Sequence, residues 1–134
     1  MKHLIQKNRA ELIRLLGCLE ATDKNNRSVQ FEEGVEQSVE IIMDLNRKGG
    51  KLIFVGNGGS AAIASHMATD FLKNVGIPAI SFNDSSLITC LSNDLGYENV
   101  FSKPVEKLPK PEDVLVAISS SGQSANILKA VKYI

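Results

Sequence analysis

The chain has 134 residues, 43% of them apolar and 22% charged, and its fifteen basic and fifteen acidic side chains cancel. That is long enough for one domain with a real core. The balance gives no basic surplus to recruit nucleic acid, and no apolar run approaches the ~20 residues of a membrane span. The opening MKHLIQKNRAEL is charged throughout and carries no signal-peptide segment, so a cytoplasmic protein without nucleic-acid or membrane partners is expected. Cys18 and Cys90 have no metal-type spacing and sit in apolar contexts, which predicts two buried free thiols.

Residues 3–21 read as a helix with Ile5, Leu12, Leu16 and Leu19 on one face. After the polar break Thr22–Arg27, Ser28 can cap a second helix that runs to about Lys48, with Val35, Val39, Ile42 and Leu45 as its stripe. Neither helix holds an obvious chemical residue. They are packing elements, able to cover their own sheet or another subunit. Residues 1–50 are thus expected as a helical pair and 51–134 as the strand-bearing portion of one structural domain.

Lys51–Val55 is the first predicted strand. It turns through Gly56-Asn57-Gly58-Gly59 and opens a helix over Ser60–Lys73, whose inward stripe is read as Ile63, Met67 and Phe71. A strand feeding a helix through glycines leaves backbone N–H groups free at the positive end of the helix dipole, a place suited to an anion. Ser60 adds a hydroxyl that can cap the helix or hold an oxyanion. The turn has neither the Gly-Lys-Ser/Thr ending of a nucleotide P-loop nor the glycine spacing of a dinucleotide fold, because Ala61 takes the third glycine's place. An unliganded tight turn stays open on these glycines alone.

Pro78–Phe82 reads as a strand, Ser85–Asn93 as a short helix, and Asn99–Leu108 as a further helical segment. Val114–Ile118 is the third strand. It leads through Ser119-Ser120-Ser121-Gly122-Gln123-Ser124 into a helical pattern over Ala125–Ile134. Strands that alternate with helices predict a parallel, doubly wound α/β sheet with right-handed crossovers, preceded by the two helices. Two strand–turn–helix units with hydroxyl-rich turns favour a phosphate clamp over two empty turns. His66 and Asp70, four residues apart, share a helix face. They are read either as a surface pair or as a metal ligand beside a carboxylate base. Asp94 reads as a helix-ending Asx turn, and Lys73 as a solvated helix-end cation.

The segments GNGGSA, SND.GY and SSSGxSxN resemble the sugar isomerase (SIS) domain family, and within it most closely the phosphoheptose isomerases. The resemblance implies a flavodoxin-like parallel sheet of five strands, so further strands and a helix beyond these three are expected. It implies a zinc-dependent aldose–ketose isomerase converting sedoheptulose 7-phosphate to a heptose 7-phosphate in lipopolysaccharide or capsule heptose biosynthesis, working as a homotetramer. By the same resemblance Gly58, Gly59, Ser60, Ser119, Ser120, Ser121 and Ser124 hold the sugar phosphate, and Asn57 and Asp94 face the sugar. His66 and Asp70 belong to the zinc site, with Asp70 as catalytic base. The family carries glutamate where this chain has Asp70, one methylene shorter. The family's further glutamine and histidine ligands match no residue here. Two other readings remain: a sugar-phosphate-binding module without turnover, and a replication-initiator-associated SIS protein acting by contact.

Overall fold

The structure, a computed structural model, describes residues 1–134. It falls into two compact units, Met1–Ile41 and Ile42–Ile134.

In the first unit, α1 spans Lys2–Leu16 and buries none of its residues. The expected helix to residue 21 stops early because Gly17 and Cys18 close its last turn, and Ala21–Thr22 (β1) then pairs antiparallel with Ser28–Val29 (β2). The polar break is the loop of this small hairpin. Asp23 Oδ1 accepts the N–H groups of Asn25 at 2.8 Å and Arg27 at 2.9 Å, the turn chemistry that aspartate favours. Ser28 is therefore spent in a strand and caps nothing. The second helix, α2, begins at Phe31 and runs to Arg47.

The second unit is built on a parallel sheet of three strands: β3 (Leu52–Gly56), β4 (Ala79–Ser81) and β5 (Val114–Ile118) in the order β4-β3-β5. Every residue of β3 is buried, as expected for a central strand covered on both faces, and this explains its unbroken apolar run. Alternate residues serve two cores. Ile53 and Val55 pack with Phe82, Val100, Phe101, Val105, Ile127 and Ala130 on one face. Leu52 and Phe54 pack with Leu45, Ala64, Ala68, Ile77 and Ala79 on the other. Helices α3 (Gly59–Asp70) and the end of α2 thus lie on one side, and α4 (Ser85–Leu95), α5 (Ser102–Lys107) and α6 (Ala125–Val131) on the other. The doubly wound α/β architecture expected from the sequence is present.

Two packing expectations are corrected. The face that α3 buries is Ala64 and Ala68, with Met67 and Phe71 partly covered, whereas Ile63 is 52% exposed. The small alanines let the helix approach the sheet closely, so the inward face is one position away from the one its bulkiest residues suggested. The ring of Phe71 instead meets Phe54 at 5.7 Å between centroids. The cysteines are free, as expected, but both are exposed. Cys18 follows a helix with no buried residue, and Cys90 lies on the outer side of α4 with its thiol 3.6 Å from Asp94 Oδ2.

A further turn of π-helix, Phe71–Val75, extends α3 and closes at Gly76 with φ +75°. No helix is long and apolar enough to cross a membrane.

Candidate functional site

β3 and β5 are adjacent and parallel, with Gly56 paired to Ile118 at their carboxyl ends. The chain leaves β3 to build β4 on one side and returns to add β5 on the other. That reversal makes the gap beyond the ends of β3 and β5 a topological switch point, where ligands of open α/β sheets bind. The turn Asn57–Ser60 follows one strand and the loop Ser119–Ser124 follows the other. The geometry therefore brings together the two serine- and glycine-rich segments that the sequence singled out.

The first turn is tight. A Cβ on Gly56 would fall 2.6 Å from the Ser60 carbonyl oxygen and 2.7 Å from its carbon, both backbone atoms, so only glycine allows β3 to turn directly under α3. Gly58, the cap residue, has φ +54°. The Asn57 carbonyl accepts the N–H groups of Ser60 at 2.9 Å and Ala61 at 3.3 Å, which sets the first turn of α3. Ser60 lies inside that turn rather than at the cap, so the capping role considered for it goes to Gly58.

The second loop is held by its own hydroxyls. Ser119 Oγ accepts Gly122 N–H at 3.1 Å, and Ser121 Oγ accepts Gln123 N–H at 3.1 Å. Gly122 has φ +63°, and Ser124 stands at the amino end of α6 with its side chain uncommitted to a cap bond. Ser120 and Ser121 are exposed, and Ser124 is half-buried.

Asn57, expected to face the sugar, joins the two loops through two residues to which the sequence assigned no role, Asn126 and Tyr97. Asn57 and Asn126 exchange two amide hydrogen bonds, each 2.9 Å, and Tyr97 donates its hydroxyl to Asn57 Oδ1 at 3.0 Å. Asn126 and Tyr97 stand in the SSSGxSxN and SND.GY segments, so the signal was present in the sequence as motif positions without an assigned task. Asn83, after β4, donates to the Ala61 carbonyl and to Ser65 Oγ, each at 2.8 Å, and ties the third strand end to α3.

Asp94 is engaged locally, accepting the Asn93 amide at 2.8 Å in the last turn of α4. His66 and Asp70 do meet. His66 Nε2 lies 3.3 Å from Asp70 Oδ2, and Asn74 donates to Asp70 Oδ1 at 3.1 Å. Their side chains are 76% and 38% exposed. At 1.5 Å per residue they stand roughly 10 Å and 16 Å along α3 from Gly59, so they are not part of the cluster at the turn. Lys73 is exposed in the π-helical turn, in keeping with a solvated cation.

No third histidine, cysteine or carboxylate joins this pair, and nowhere in the structure do three such groups gather. A catalytic zinc takes three protein ligands and a water. The residues of this chain do not by themselves make such a site.

The sequence profile of the SIS domain family matches residues 20–134. This chain belongs to the SIS domain family. The match includes both strand–turn–helix units and begins just before the small hairpin. Among curated relatives, the phosphoheptose isomerase of Sodalis glossinidius is 41% identical over 128 residues, 92% of this chain and 64% of the relative. That of Helicobacter pylori strain P12 is 44% identical over 133 residues, covering 95% of this chain and 65% of the relative. Among solved structures, phosphoheptose isomerase from Neisseria gonorrhoeae superposes with a TM-score of 0.71 at 41% identity, over 75% of this chain and 55% of that one. This SIS chain therefore spans less than two thirds of the length of the relatives it matches.

Proposed function

We propose that this SIS domain belongs to an aldose–ketose isomerase acting on a sugar phosphate, sedoheptulose 7-phosphate by similarity to the phosphoheptose isomerases, in bacterial surface-heptose synthesis in the cytoplasm. The observation that carries the proposal is the pairing of Gly56 with Ile118, which seats two hydroxyl- and N–H-rich turns side by side at the switch point. Ser60, Ser119, Ser121 and Ser124, with the Gly58 and Gly59 N–H groups, would take the phosphate. Ser120 lies in the same loop. Asn57 and Asp94 would face the sugar.

Isomerisation needs a base that takes the proton beside the carbonyl and returns it to the neighbouring carbon through an enediolate. Asp70 is the proposed base. The His66 imidazole and the Asn74 amide hold its two oxygens, which fixes the direction of the carboxylate. Zinc, which the family resemblance implies, would find only His66 and Asp70 here.

Replacing Ser121 with alanine should weaken sugar-phosphate binding about tenfold, because a hydrogen bond to a charged group contributes about 1.5–3 kcal/mol. Calorimetric titration measures this, and an unchanged affinity would reject the clamp.

A homo-oligomer, a tetramer by resemblance, is proposed from the apolar side chains that the first unit leaves in water. Leu12, Leu16 and Val39 are 58%, 59% and 54% exposed. Such faces normally find a partner surface. Light scattering should give a mass several times that of one chain, and a stable monomer at micromolar concentration would contradict it.

The second reading is a sugar-phosphate-binding module without turnover. It is favoured by the exposed, mutually paired His66 and Asp70 and by the short reach of aspartate.

A further inference from the structure

We propose that Asn126 is a positioning residue that holds the two phosphate turns in register, and that its pairing leaves Asn57 a single N–H with which to meet the sugar. The inference rests on the sugar-phosphate reading of the switch-point crevice.

Asn126 is 3% exposed at the start of α6, where an apolar residue would pack more cheaply than an amide. Its orientation is fixed by the backbone. Ile127 N–H donates to Asn126 Oδ1 at 3.0 Å, so that atom is the oxygen. The same oxygen accepts Asn57 Nδ2 at 2.9 Å, which fills its two lone pairs. Asn126 Nδ2 then donates to Asn57 Oδ1 at 2.9 Å, and Tyr97 donates to that oxygen at 3.0 Å. Asn57 Oδ1 is saturated as well. What remains on Asn57 is one amide proton, so it can offer a substrate a donor and no acceptor. A sugar oxygen with a free lone pair meets it, whereas a group that can only donate does not.

The position of the clasp explains why it bears on function. Asn57 is the residue after β3 and the origin of the first turn, and Asn126 stands two residues beyond Ser124. The paired amides bridge the crevice between the turns, while Tyr97 fixes the stretch from α4 to the same point. A phosphate bound by both turns needs their spacing set before it arrives. Preorganisation of this kind lowers the ordering cost of binding.

The test uses Asn126→Leu, similar in size but without hydrogen bonds, and Tyr97→Phe, which removes one donor from an exposed ring and leaves the fold least disturbed. Three readouts are taken: calorimetric affinity for inorganic phosphate and for sedoheptulose 7-phosphate, amide hydrogen exchange without ligand at Ser60, Ala61 and Gly122, whose N–H groups are hydrogen-bonded within the two turns, and turnover by the whole protein. Asn126→Leu should weaken affinity for both ligands about tenfold or more and speed exchange at those amides, with the circular dichroism of the fold kept. Tyr97→Phe should do the same to a smaller degree. If Asn126→Leu does not fold, Tyr97→Phe alone decides. Unchanged affinity overturns the proposal, even where exchange is faster, because Asn126 would then serve the fold only. A wild type that binds neither phosphate nor sugar phosphate also overturns it. A wild type that binds both yet turns over nothing removes the isomerase reading alone, and the affinities of the variants still decide the clasp.

Discussion

Asp113→Ala should destabilise the unit Ile42–Ile134 by about 3 kcal/mol, the low end of what is lost when one partner of a buried ion pair is removed. Asp113 immediately precedes β5, and its side chain is 1% exposed. Its Oδ1 accepts the Lys51 N–H at 2.8 Å, its Oδ2 accepts the Lys110 N–H at 2.8 Å, and the Lys51 ammonium pairs with Oδ2. One carboxylate thus joins the amino ends of β3 and β5, opposite the end that the asparagine clasp closes. Removing it leaves two N–H groups and a largely covered ammonium without an acceptor.

The same carboxyl sets a pH dependence. Burial pushes its pKa up, but the Lys51 ammonium and the Lys110 and Lys51 N–H groups outweigh this and hold it below its ordinary value. A group whose folded pKa is depressed contributes stability that is present above its unfolded value, about 3.9, and is lost as pH falls through the folded value. Urea midpoints measured from pH 7 downward should therefore decline over that acidic window. Asp113→Asn should lose this part of the decline while keeping most of the volume. A variant as stable as wild type at pH 7 would contradict the clamp.

Asp70→Asn in the whole protein should keep the fold and lower turnover about 10²–10⁴-fold, the usual contribution of a general acid or base. The amide keeps the size and can still accept from His66, so the loss reports the base itself. Asp70→Glu restores the family's residue and should preserve or raise the rate. Normal turnover by Asp70→Asn would return His66 and Asp70 to a surface pair of small energetic weight, since an exposed ion pair contributes about 0–1 kcal/mol.

The sheet was legible because β3 and β5 carry unbroken apolar runs between turn residues, although only β3 is buried on both faces as such a run requires, and β5 at the sheet edge is half-covered. The placement of the two serine and glycine turns followed from that alone. The hairpin at Ala21–Val29 was not legible, because strands of two residues give no periodicity and Asp23-Lys-Asn-Asn26 reads simply as polar. The buried face of α3 was misread because Ala64 and Ala68 weigh little beside Ile63 in any hydrophobic pattern, although small residues govern close helix–sheet packing. Asn126 escaped notice for a related reason. A lone asparagine at a helix start reads as local turn chemistry, and its long-range partner Asn57 lies 69 positions away. His66 and Asp70 were placed on one helix face correctly, but spacing within one helix says nothing of what stands opposite it.

The central claim is that the two turns at the ends of β3 and β5 hold a sugar phosphate for isomerisation. The most direct measurement is turnover of sedoheptulose 7-phosphate by the whole protein, followed by appearance of the aldose phosphate, with Ser121→Ala beside wild type. The account predicts product from wild type, and from Ser121→Ala only at higher substrate concentration. Saturable binding without any product would contradict the isomerase and leave a binding module, and neither binding nor product would contradict the site itself.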